Sequence, residues 1–349
     1  MKKKSIVWLI VLAAVFALTL AACPDTSGGG GGGGGPPPPP PTYIVTGSGE
    51  AFTTTKGGVT VGTAGQPIQD VINAIRTHAA GANCVIQFGD GSAVLDAGTF
   101  TDTPAVTLQN TTGETWGMVT LTGKITSNVS SSGGSDSFTT ISIADPVSVT
   151  SSADIANSNT GIFAKAVRFN SAGALTITGG TLSNPAGYTV FNASTGTVTI
   201  SGGTIKSTTS GWAVYNASTG TITISGGTVS STSSVAVYIS GSGKVTVSGT
   251  ANITSASTSA TNGTINLSSY NSSATATDVL LEMTGGTVTN TSTTTGNAIY
   301  HGNKGKINIT GGTVSKAGSG GNAIYNNSTG VVTIGPGATI EGNNYGVTP

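Results

Sequence analysis

Thr189-Val190-Phe191-Asn192-Ala193-Ser194-Thr195-Gly196-Thr197-Val198-Thr199-Ile200-Ser201-Gly202-Gly203-Thr204-Ile205 is followed at once by a second copy of itself, Ala213-Val214-Tyr215-Asn216-Ala217-Ser218-Thr219-Gly220-Thr221-Ile222-Thr223-Ile224-Ser225-Gly226-Gly227-Thr228-Val229. Weaker copies begin at Ala236, Ala298 and Ala323, and paired glycines start at Gly179, Gly202, Gly226, Gly285 and Gly311. The regular period is 23 to 26 residues, which is the signature of a solenoid. Within each copy Thr197 and Thr199 alternate with Val198 and Ile200, a strand with one polar and one apolar face. The Gly-Gly pair supplies a corner, because glycine reaches positive φ without a steric penalty. Thr204-Ile205 and the Val-Tyr-Asn segment give a second and a third short strand. Three strands and three corners per coil predict an all-β, right-handed parallel β-helix. About a dozen coils at about 4.8 Å each would make a rod of about 50–60 Å.

Working outward, Val119-Thr120-Leu121-Thr122-Gly123-Lys124-Ile125, Val147-Ser148-Val149 and Leu175-Thr176-Ile177-Thr178-Gly179-Gly180 fit the same strand and corner. The long step between Gly226 and Gly285 holds a degenerate corner, Ser248-Gly249-Thr250, and an insertion around Thr261 to Thr277. Ile68, Val71, Ile72 and Ile75 share one helical face, with Pro67 suited to the first turn and Gly81 to the far end. A helix over about residues 67–79 is therefore expected to cap the open N-terminal end, whose strand edges would otherwise invite aggregation. Asn343-Asn344-Tyr345-Gly346-Val347 reads as the start of a further coil.

Composition agrees. The 349 residues include 54 glycines, 41 serines and 60 threonines, while charged residues are 7% and aromatic residues 5%. That profile excludes a helical bundle. Thirteen basic residues balance thirteen acidic ones, leaving no basic excess for nucleic acid.

The N-terminus carries Lys2, Lys3 and Lys4, an apolar run from Ile6 to Leu20, and Leu20-Ala21-Ala22-Cys23. This arrangement resembles the signal peptide and lipobox of bacterial lipoproteins, which implies cleavage after residue 22 and acylation of Cys23. Several acyl chains at about 0.8 kcal/mol per buried CH2 hold a protein on a bilayer. Gly28 to Gly35 and Pro36 to Pro41 then form a tether, flexible in its glycines and extended in its prolines. The expected organisation is a signal peptide over 1–22, a lipidated Cys and tether over 23–42, and a β-helix over 43–349. Over that last part the chain resembles bacterial surface lipoproteins with a pectate-lyase-like β-helix, as in adhesins and autotransporter passenger domains. That resemblance spans both enzymes and adhesins, so it does not choose a function.

The acids argue against chemistry. Glycoside hydrolysis needs two placed carboxylates, and a pectate-lyase-like reaction needs clustered acids for calcium and a nearby base. From Gly173 onward only Asp278, Glu282 and Glu341 are acidic, and Asp278 and Glu282 either share a strand face or are split by a loop. Asp90, Asp96, Asp102, Glu114, Asp136, Asp145 and Asp154 are scattered through turn-like sequence. His78 and His301 stand apart, so no metal site and no cofactor is expected; His301 falls where other copies have Asn192, Asn216 and Asn326. Cys84, inside Cys84-Val85-Ile86-Gln87-Phe88, reads as a small buried hydrophobe.

Two columns remain. Phe191, Tyr215, Tyr238, Tyr300 and Tyr325 occupy one repeat position, outward if Val190, Val214, Val237, Ile299 and Ile324 point inward. They either pack on one another or present a carbohydrate-binding ladder. Thr197/Thr199 and Thr221/Thr223 form a Thr-x-Thr face of the kind used to bind ice, but Lys244, Leu280/Glu282, Lys306/Asn308 and Val331 break it. The leading expectation is a non-catalytic, lipid-anchored module of the bacterial outer membrane or cell surface: an adhesin, a binding module or a structural element. Its partners would be the membrane, through Cys23, and a polysaccharide or host-cell glycan. The alternative is a polysaccharide lyase or glycoside hydrolase.

Overall fold

Stacked in register, the copies form a parallel β-solenoid of about nine turns, with one short helix among the described residues. The computed structural model describes residues 36–91, 93–101, 103–130, 138–268 and 273–345. The expected signal peptide, Cys23 and the glycine tract lie outside these residues. Pro36–Pro39 has no regular secondary structure, and the solenoid belongs to a compact unit that starts at Pro40.

Each coil contributes three strands to three parallel ladders. Thr197–Ile200, Ile222–Ile224 and Val245–Val247 belong to the first, Thr204–Ser207, Thr228–Ser231 and Asn252–Ser255 to the second. Tyr188–Asn192, Trp212–Asn216 and Val237–Ile239 belong to the third. Val119–Ser130, Val279–Asn290, Lys306–Lys316 and Val332–Glu341 run without a break through the first and second ladders. The third ladder has ten strands, about 43 Å of stacking at 4.8 Å per step. That is shorter than a dozen coils would give, because the first strands build a cap and two loops absorb chain.

The core is a set of apolar columns. Val190, Val214, Val237, Ile265, Ile299 and Ile324 stack along the third ladder, all with no exposed surface. Ile200, Ile224, Val247, Met283 and Ile309 do the same along the first. Each such side chain contributes about 1.5–3 kcal/mol by leaving water. The paired glycines divide their work. The second member takes positive φ, 77° at Gly203 and 71° at Gly227. The first keeps ordinary φ, and a Cβ at Gly202 or Gly226 would collide with the carbonyl of the coil beneath.

The helix spans Ile68–Ala79 and buries the expected residues Ile68, Val71, Ile72 and Ile75. Pro67 is its N-cap, and Ala80 rather than Gly81 takes the left-handed C-cap, with φ 50°. The cap is larger than the helix. Thr42–Ser48 starts the first ladder beside Cys84–Phe88, and its other edge pairs antiparallel with Ala51–Lys56, which pairs antiparallel with Val59–Gln66. The helix also closes the third ladder: the Gln69 side chain accepts from Thr107 N at 2.7 Å and donates to Thr107 O at 3.1 Å. Both polar groups of an edge residue are thereby satisfied by one amide.

The insertion expected at Thr261 to Thr277 is not one segment. Gly263–Leu267 is a regular strand of the third ladder, paired with Val237–Ile239 on one side and Asn297–His301 on the other. The extra residues lie before and after it. At the far end Asn343–Tyr345 pairs with Asn322–Asn326, so the final segment does begin another coil.

Candidate functional site

The aromatic column faces outward, as the inward Val and Ile column requires. Its members are not alike. Phe191, Tyr215 and Tyr238 follow one another in register, and so do Tyr300 and Tyr325. Between the two groups the register places Asn266, opposite Tyr238 on one side and Tyr300 on the other.

The first group is a packed cluster that also takes in Tyr188 and Trp212, three residues ahead of Phe191 and Tyr215 on their strands. Ring centroids are 5.1 Å apart for Phe191–Tyr215, 5.4 Å for Tyr215–Tyr238 and 5.3 Å for Tyr188–Trp212. Trp212 and Tyr238 lie face to face at 4.0 Å and 16°. Phe191 is 6% exposed, so it offers a ligand almost nothing. Lys165 anchors the inner end: fully buried, it donates to Phe163 O at 2.9 Å with its ammonium 5.1 Å from the Phe191 centroid and 5.6 Å from that of Tyr188. Such offset and cation–π contacts stabilise beyond simple burial. Tyr300 and Tyr325 form the second group, stacked at 5.6 Å and 14°.

Between the groups lies a cleft of about 320 Å³, lined by Tyr238, Tyr300, Asn262, Asn266, Ser268 and Asn327 among others. Asn266 Nδ2 donates to Asn262 Oδ1 at 2.9 Å, and Asn327 Nδ2 donates to the Tyr300 hydroxyl at 3.1 Å. Sequence reasoning missed Asn266 because its strand lacks the Val-Tyr-Asn pattern. Tyr188 and Trp212 were missed because they lie off the repeat position.

Six of the acids have defined partners. Asp96 accepts from Gly98 N at 2.9 Å, Asp145 from Ala172 N at 2.7 Å and Asp154 from Thr181 N at 2.7 Å. Glu114 binds Arg76 and Thr77 of the cap helix, and those hydrogen bonds hold its carboxyl below the usual range. Asp278 lies in the loop ahead of its strand, accepts from the Thr275 amide and hydroxyl, and titrates low for that reason. Glu282 sits on the strand and pairs with Lys244. The two acids therefore serve different partners. Asp102 and Asp136 lie outside the described residues. Among the described residues no group of three His, Cys, Asp or Glu side chains is placed to hold a metal ion.

His301 takes the asparagine's place in the turn. Its Nε2 lies 2.9 Å from Gly305 O, as Asn326 Nδ2 lies 2.8 Å from Gly330 O and Asn216 Nδ2 2.6 Å from Gly220 O. His78 lies in the last helical turn and meets the Tyr43 hydroxyl at 2.8 Å. Cys84 is a free, buried thiol whose burial pushes its pKa up to about 11. Thr120, Thr150, Thr176, Thr199, Thr223 and Thr246 stack in one outward column, which then passes to Glu282 and Asn308. The Lys244–Glu282 ion pair ends the threonine plane, as its sequence implied.

The chain matches no family model, no curated protein and no solved structure. Its function must be read from its own surface.

Proposed function

We propose that the chain is a non-catalytic, lipid-anchored solenoid of the bacterial cell envelope that binds polysaccharide through the aromatic face of its third ladder. The observation that carries this reading is the outward column of Tyr215, Tyr238, Tyr300 and Tyr325, all part-exposed. Tyrosine combines an apolar ring with a hydroxyl, which suits the faces and edges of sugar rings. Phe191, now buried, belongs to the support of that face rather than to its contact surface. The carboxylates tied to backbone amides and cations favour binding over hydrolysis. The lipobox, Leu20 to Cys23, and the glycine and proline tract that follows support an anchor and a spacer.

The test has two arms. Full-length protein is run through gels containing neutral and acidic plant and bacterial polysaccharides, and products are assayed in parallel with and without calcium. Retardation by at least one glycan without product release supports the reading; release of products, or no retardation by any, overturns it. Metabolic labelling with a radioactive fatty acid should mark the wild type and leave Cys23→Ser unlabelled.

A further inference from the structure

Resting on that reading, we infer that the glycan's seat is the cleft at Asn266, where one neutral pyranose ring is held between the faces of Tyr238 and Tyr300. The argument begins with spacing. Neighbouring rungs of a parallel ladder lie about 4.8 Å apart, so Tyr238 and Tyr300, two rungs apart, stand about 9.6 Å apart at their backbones. A ring entering midway has an aromatic neighbour about 4.8 Å away on each side, within the range at which stacked rings attract. The aromatic column is thus missing one rung, and the gap has the dimensions of a ring.

Each flanking ring is also supported from behind. Trp212 stacks on Tyr238 at 4.0 Å, and Tyr325 stacks on Tyr300 at 5.6 Å, both nearly parallel. Both supports come from the coils farther from the gap, so the opposite faces of Tyr238 and Tyr300 are turned toward Asn266. Asn327 holds the Tyr300 hydroxyl. The walls are therefore set before any ligand arrives, which spares the entropy of ordering them on binding.

The floor and rim choose the chemistry. Asn262, Asn266, Ser268, Thr261 and Asn327 line the cleft with amides and hydroxyls, and among the described residues no charged side chain lines it. Amides offer donors and acceptors together, which matches sugar hydroxyls and gives no ion pair to a uronate or a phosphate. A volume of about 320 Å³ lies at the small end of ligand clefts, about 300–1,000 Å³. It suits one ring of a chain rather than a long segment.

The experiment is calorimetric titration of the full-length protein with cellohexaose, xylohexaose, mannohexaose and chitohexaose. Asn266→Tyr supplies the missing rung and fills the gap, so it should weaken the best ligand at least tenfold. Tyr238→Ala and Tyr300→Ala should each do the same. A second measurement covers the chance that Asn266→Tyr misfolds: bound oligosaccharide should protect Tyr238 and Tyr300 of the wild type from nitration more than Tyr325, read by peptide mass spectrometry. Binding that survives Asn266→Tyr but is lost in Tyr215→Ala overturns the cleft and leaves the glycan-binding reading standing. Equal protection of all tyrosines also overturns the cleft. Failure of every neutral oligosaccharide and polysaccharide to bind overturns the cleft, and if acidic glycans fail too it overturns the glycan-binding reading with it.

Discussion

Replacing His301 by asparagine should remove most of an acid sensitivity that His301 builds into the solenoid. His301 has no exposed surface, and its Nε2 faces the Gly305 carbonyl at 2.9 Å. A carbonyl only accepts, so Nε2 carries the hydrogen and Nδ1 is bare. Among the described residues Nδ1 meets no hydrogen-bond partner. Protonation would place a charged N–H in a buried site, with no acceptor among the described residues. Burial accordingly pulls the imidazole down from 6.5 to about 4, against the smaller opposing effect of the Gly305 bond. The unfolded chain therefore takes up this proton first as pH falls. The stability at stake is complete above about pH 6.5, falls away between there and about pH 4, and changes no further below. At 1.36 kcal/mol per pKa unit the full loss is about 3 kcal/mol. Over roughly 300 residues that corresponds to about 5 °C in melting temperature. In His301→Asn the amide can make the turn bond that Asn326 makes, and it has nothing to protonate. The assay is thermal melting by circular dichroism at pH 7, 5 and 4 in constant salt, for wild type and variant. Coils of a solenoid contribute stability locally, so hydrogen exchange at Ile299, Tyr300 and Tyr325 gives a second reading. His78 is common to both proteins, so the comparison isolates position 301. Equal acid losses in wild type and His301→Asn would refute the reasoning.

Three further outcomes follow from the geometry. Gln69→Leu should destabilise by about 1–3 kcal/mol, since it strands both polar groups of Thr107 at a ladder edge; denaturant melts and light scattering would show lower stability and more association. Gly203→Ala should cost clearly more than Gly113→Ala, although both glycines have positive φ. A Cβ at 203 would lie 2.6 Å from Gly179 O, whereas at 113 it meets nothing within 4 Å, so the difference in urea midpoints isolates the close stacking of coils. In a Cys23→Ser background, Cys84 should react with a disulfide reagent at pH 8 about two hundredfold more slowly when folded than in guanidinium, because its thiolate is scarce at a pKa of about 11 and burial blocks access.

Much of this molecule was legible in the repeat. Val198 and Ile200 against Thr197 and Thr199 announced a strand with an inner and an outer face, and the paired glycines announced corners. Both readings rest on local sterics and on burial, which a short window of sequence records. The phase of the aromatic column followed from the inward Val and Ile column. What stayed hidden is non-local. Nothing near Gln69 says that its amide will meet Thr107, and nothing in Thr42–Gln66 distinguishes an antiparallel cap from further coils. The strand Gly263–Leu267 was concealed because Asn266 replaces the tyrosine that marks its neighbours. The same replacement opens the cleft, so the residue that broke the pattern is the one that gives the face its shape.

The near-identity of the coils at Tyr188 and Trp212 has a consequence for folding. Two segments that offer the same inward residues in the same order can each accept the partner meant for the other. A growing stack can therefore skip a coil and trap a slipped register, a hazard that rises with every faithful copy. The residues that depart from the repeat act as addresses. Asn266, His301, the Lys244–Glu282 pair and the helical cap each occur once along the ladders, and a slipped stack would set each against the wrong neighbour. By this logic, making the coils more uniform would strengthen each rung while weakening the selection of a single alignment.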